Sequence, residues 1–89
     1  MQGVTKLLYS ECAVTSGQGI PANGFLVIDC TTSGVDSDDT ALVTLNNSNG
    51  CLHASAVNAE TNNVEFQMFN DCAFSVPAVA KVAIVVFDK

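Results

Sequence analysis

The chain has 89 residues, of which 13% are charged, and nine acidic residues against three lysines give it a net charge of −6. That balance lacks the basic footprint that phosphate backbones and anionic membrane surfaces require, so nucleic acid and membrane partners are excluded. The length specifies one small domain, residues 1–89, and an apolar content of 48% with so little charge points to surface that becomes covered.

The opening residues have no signal-peptide core: only Leu7, Leu8 and Tyr9 are apolar in sequence. The chain is therefore expected to be made in a cytoplasm. A first strand is predicted over residues 4–9, running on toward Val14. Residues 1–14 read either as an N-terminal attachment arm or as an edge strand. "TSGQG" (15–19) and "IPANG" (20–24) read as turns. "FLVIDCTT" (25–32) has the β-branched and aromatic content of a strand.

"SGVDSDD" (33–39) reads as a loop, "TALVTL" (40–45) as a strand and "NNSNG" (46–50) as a turn. "CLHASAVNA" (51–59) follows, placing His53, Ser55 and Val57 on one face if it is a strand. A helix over residues 54–65 is rejected because Asn58, Asn62 and Asn63 interrupt it. "ETNN" (60–63) is a tight connection and "VEFQMF" (64–69) an alternating strand. Residues 70–80 are expected to be irregular, since Pro77 is out of place inside a central strand. "KVAIVVFD" (81–88) closes the chain as a strand.

Short strands separated by turn signals every 8–12 residues predict an all-β domain. The expected form is a small β-sandwich or jelly-roll-like barrel of about six to eight antiparallel strands. "FLVI" and "VAIVVF" are apolar on both faces, whereas a sandwich strand needs only one apolar face. A second subunit is expected to cover the other.

Chemistry is sparse. Cys12, Cys30, Cys51 and Cys72 could form two disulfides in any of three pairings, but without a secretion signal reduced thiols are expected. No C-x-x-C pair suggests zinc. His53, two residues from Cys51, could suggest a nucleophile and base. It is expected to be an ordinary surface or interface histidine. Asp36, Asp38 and Asp39 could hold a hard cation, yet they lack the glycine and bidentate glutamate of an EF-hand loop. A solvated turn is expected instead. No phosphate cradle is present. So small a sandwich has little room for a paired-carboxylate cleft, so no enzyme, cofactor or metal is expected. "NNS" (46–48) matches a glycosylation acceptor, which a chain outside the secretory pathway would not use.

Residues 15–88 carry "GIPANG", then "SGVDSDDTALVTL", then "HASAVNAETNNVEFQMFNDCAF" and an apolar closing strand. This order resembles the small β-sandwich modules of tailed-phage virion proteins, both capsid decoration proteins and fibre tips. In those modules an Asn-led apolar segment enters a strand pair and ends in another Asn. Asn63, Val64, Phe66 and Asn70 hold those places here, and Asp38-Asp39 stands where the family often has Gly-Asp. Asp71-Cys72 departs from the small Thr or Ser usual after the final Asn.

The resemblance implies a homotrimer that binds the major capsid protein on the outside of a virion as a decoration or cement protein. Val82, Val85, Phe87, Phe69 and Phe74 are the candidate oligomer interface. Val4, Lys6, Leu8 and Tyr9 are the candidate capsid attachment. The alternative is the receptor- or glycan-binding tip of a fibre, using loops 46–50 and 60–63. A single tyrosine and no tryptophan count against it. A secreted, disulfide-bonded adhesin or inhibitor is a third reading, and it requires oxidised cysteines.

Overall fold

A computed structural model describes residues 6–46 and 50–88. Among them are six strands and no helix: β1 (Leu7–Ile20), β2 (Phe25–Thr31), β3 (Thr40–Asn46), β4 (Leu52–Glu60), β5 (Asn63–Asn70) and β6 (Val76–Phe87). They form two three-stranded sheets, a front sheet ordered β1-β6-β3 and a back sheet ordered β2-β5-β4. Every pairing is antiparallel. The expected all-β sandwich is therefore present.

The pairings nest. The first strand pairs with the last and the second with the fifth, while β3 lies beside β4. This is the connectivity of a long hairpin rolled up on itself, a jelly-roll order with six strands in place of eight. The body is elongated, 44 × 24 × 19 Å.

Alternation along the two central strands builds the core. Val64, Phe66 and Met68 of β5 point inward, opposite Ala80, Val82, Ile84 and Val86 of β6, and all are buried. Val14, Ile20, Cys30, Leu52 and Ala59 close the sides. Burying side chains of the Val or Phe class is worth about 1.5–3 kcal/mol each relative to exposure, so these few layers supply most of the drive to fold.

Four expectations need correction. First, residues 15–19 are not a turn: β1 runs through them, with a shift of register between Thr15 and Gly19 absorbing the extra residues. Second, β6 begins at Val76 rather than near Lys81. Pro77 pairs with Gly19 of β1, and among the described residues β3 pairs with β6 only over residues 81–87, so Pro77 lies outside the three-stranded stretch. Proline suits such edge positions because it cannot donate to a ladder on both sides.

Third, β4 changes face midway. Its register with β5 shifts between Ser55 and Asn58, and Ala56 has a left-handed φ of 51°. Val57 consequently turns toward the core side while His53 and Ser55 stay outside. A one-residue bulge inverts every later side chain, and simple alternation cannot anticipate it.

Fourth, the cysteines are not free thiols: Cys12 is bonded to Cys30 and Cys51 to Cys72. Their Cα atoms are 6.1 and 5.3 Å apart, within the usual disulfide range. The first bridge links β1 to β2 and so staples the two sheets. The second joins the approach to β4 with the loop leaving β5.

The ends are tied by polar contacts. At one end the β4–β5 turn docks on the 32–35 loop: Asn62 N–H donates to the Val35 carbonyl at 2.8 Å, and Gly34 N–H donates to Asn62 Oδ1 at 3.0 Å. At the other end Asn70 is wholly buried. Its Nδ2 donates to the carbonyls of Ile20, Pro21 and Phe74 at 2.8, 3.2 and 2.8 Å, and its Oδ1 accepts from Cys72 N–H at 2.9 Å. One side chain thus ties together the β1–β2 and β5–β6 loops, which would otherwise bury unpaired backbone.

Candidate assembly face

The outer face of the front sheet follows from its registers. Leu7, Phe87 and Thr40 form one row, Tyr9, Val85 and Leu42 the next, then Glu11, Ala83 and Thr44, and then Ala13, Lys81 and Asn46. The first two rows are almost entirely apolar. Leu7 is 72% exposed, Tyr9 64% and Leu42 55%, whereas Val85 and Phe87 are half-buried between their neighbours. Among the described residues nothing lies over this face. The second apolar side of the last strand is thus a surface, enlarged by side chains from both flanking strands.

The outer face of the back sheet differs. Phe25, Phe69 and His53 form its end row, followed by Val27, Gln67 and Ser55. Beyond them Asp29 stands opposite Glu65, with Glu60 close by. Asn63 Nδ2 donates to Asp29 Oδ1 at 2.9 Å and to Glu60 Oε1 at 2.7 Å. The charge of Glu60, then partial burial and Asp29, push the Glu65 carboxyl above its ordinary pKa. Three carboxylates this close have the donor set for a hard cation.

The five proposed interface residues do not share one surface. Val85 and Phe87 lie on the front face, and Phe69 lies on the back face beside Phe25. Phe74 is exposed in the loop between β5 and β6. Val82 is a correction: it is 1% exposed and faces the core with Ile84 and Val86, so a neighbouring subunit cannot reach it. Leu7 and Leu42 belong to the front patch but were not singled out from the sequence. Only the pairing of β1 and β3 on either side of β6 brings them there.

The proposed attachment residues are also divided. Val4 lies outside the described residues. Leu8 packs against the core and Tyr9 points outward. Lys6 is engaged within the chain: its Nζ donates to Asp36 Oδ2 at 2.9 Å, Asp39 Oδ2 at 2.8 Å and the Gly34 carbonyl at 3.1 Å. Residues 7–14 are part of β1, an edge strand rather than a loose arm.

Lys6 accordingly supplies the counter-ion of the 36–39 loop. The Asp39 side chain is 4% exposed and also accepts the Asp36 N–H at 2.9 Å. The Lys6 bond, followed by that backbone bond, holds the Asp39 carboxyl below its usual range, and the same pairing raises Lys6. His53 is exposed, with Nε2 3.6 Å from Asp71 Oδ2. Its neighbour Cys51 is in a disulfide, so that pair offers no thiolate nucleophile.

Comparison with family models, with curated proteins and with solved structures finds no match.

Proposed function

We propose that this chain is a non-enzymatic structural protein that assembles with copies of itself, most simply as a trimer, and decorates the outer surface of a tailed-phage capsid. The observation that supports the reading is the apolar patch of Leu7, Leu42, Val85 and Phe87, with Tyr9 at its border. Completing the burial of these side chains is worth on the order of 5–10 kcal/mol. Association itself costs about 4–15 kcal/mol, so the patch alone sustains a weak contact. Repetition on a symmetric shell would turn weak contacts into firm attachment through effective concentration.

A three-fold ring needs two different surfaces in each contact. Phe25, Val27 and Phe69 on the back face offer the second. The patches lie on opposite faces, so such contacts close into a ring only when successive subunits tilt. Untilted, they continue as a filament. The two disulfides suit an exposed position, because virion surfaces are among the places where such bonds persist.

Co-sedimentation with undecorated capsids tests the reading. Saturable binding that Val85→Asp abolishes supports it. Failure to bind any such shell, together with a monomeric mass at micromolar concentration, contradicts it.

A further inference from the structure

Where the apolar patch of the front sheet ends, the surface dips. Ala83 in the centre of the sheet and Ala13 beside it are small, while Tyr9, Glu11, Thr44, Asn46 and Lys81 rise around them. The result is an open depression of about 390 Å³, within the range of small-molecule sites. Its floor is alanine methyl and strand backbone. Along one wall the Tyr9 hydroxyl donates to Glu11 Oε2 at 2.8 Å, which fixes the phenol ring at the rim.

We infer that this depression binds a neutral saccharide. The rim combines a carboxylate acceptor, an ammonium donor, a hydroxyl and an amide that does both. A sugar hydroxyl is itself donor and acceptor, so a ring of hydroxyls matches such a mixed rim better than a single-sign ligand does. Glu11 and Lys81 cancel in charge, so the rim offers no net attraction to an anion or a cation, and the overall charge of −6 further disfavours anions. The exposed Tyr9 ring provides the apolar surface against which the C–H face of a pyranose packs. The site lies on the sheet itself, away from loop 60–63, and touches loop 46–50 only at Asn46.

The site shares Tyr9 with the border of the apolar patch, while the rest of its lining lies beyond that patch, so a subunit contact covering the Tyr9, Val85 and Leu42 row would compete with the sugar. The test is a titration of the ¹⁵N-labelled chain with glucose, galactose, mannose, fucose, rhamnose and the two neutral N-acetylhexosamines, with N-acetylneuraminic acid as the anionic control. Concentrations on the order of 10 mM suit the affinity of a single open subsite. The expected result is saturable shifts at Tyr9, Glu11, Thr44, Lys81 and Ala83 with at least one neutral sugar. Tyr9→Ala and Lys81→Met should each weaken binding about tenfold or more, while His53→Gln, on the opposite face, should leave it intact. No saturable shift with any neutral sugar overturns the inference, as does binding confined to the acidic sugar or unchanged in both variants. The solution mass, read in the same samples, reports on self-association separately.

Discussion

Removing the bridge between the two sheets is the sharpest perturbation of the fold. Cys12 and Cys30 lie 18 residues apart in sequence, and their bond closes that stretch of chain in the unfolded state. The chain-entropy relation puts its contribution at about 3 kcal/mol. A domain of this length has a total stability of roughly 5–13 kcal/mol, so one bridge carries from a quarter to more than half of it. At about 4–8 °C per kcal/mol for a domain of this size, Cys12→Ala with Cys30→Ala should lower the melting temperature by about 12–24 °C. Cys30 is buried, so its truncation adds a small cavity penalty in the same direction. Thermal melts followed by far-ultraviolet circular dichroism, with and without reductant, give the number. Thiol titration in denaturant should find no free thiol in the parent. Four free thiols, or a double variant melting within about 2 °C of the parent, would refute the reasoning.

Three other outcomes follow from particular contacts. Asn70→Asp turns a donor facing three carbonyls into a buried acceptor, so it should cost about 3 kcal/mol or more. Urea unfolding checks it, and an unchanged midpoint would show that the loops do not depend on that amide. For Asp39 the folded pKa is lowered, so its contribution is complete above the unfolded value of about 3.9 and is lost as pH falls through the folded value. Asp39→Asn should therefore flatten the acid limb of the stability curve, and parallel curves for parent and variant would contradict the Lys6 pairing. Glu65 has the opposite sign: its raised folded pKa means that protonation relieves the Glu60 and Asp29 repulsion as pH falls toward the unfolded value of about 4.3. Glu65→Gln should raise stability at neutral pH, with the gain shrinking in acid.

The fold class was legible because turn residues and β-branched runs alternate at strand spacing. β2, β3 and β5 lie within a residue or two of their sequence reading for that reason. The misses have local causes. Gly17 and Gly19 look like turn residues, yet β1 continues because β6 supplies a partner for Thr15 and Gly19 on either side of the irregular stretch. Pro77 looked like a strand breaker, yet it lies outside the stretch of β6 that the described part of β3 flanks. The disulfide state was misread because it was judged from the opening residues, whereas the bonds depend on which strands meet across the sandwich. β1 and β2 lie in different sheets, and neither spacing nor composition brings Cys12 to Cys30.

The candidate assembly face was half legible. Val85 and Phe87 stood out as a second apolar side of one strand, and they are indeed on the outside of the sheet. Val82 was wrongly grouped with them although its parity along the strand puts it with Ile84 and Val86. Leu7, Tyr9 and Leu42 join the patch through cross-strand registers, which are long-range and carry no local signal. Lys6 was placed in the attachment segment, yet its partners lie in the 36–39 loop, far along the chain.

The front-sheet patch is the central claim, and the solution mass tests it most directly. Light scattering should be run on the oxidised parent and on Val85→Asp over a range of micromolar concentrations. The account predicts a parent mass that rises with concentration toward a multiple of 9.3 kDa, three chains for the closed ring, and a variant that stays at 9.3 kDa. A parent that remains at 9.3 kDa throughout, indistinguishable from Val85→Asp, would contradict it.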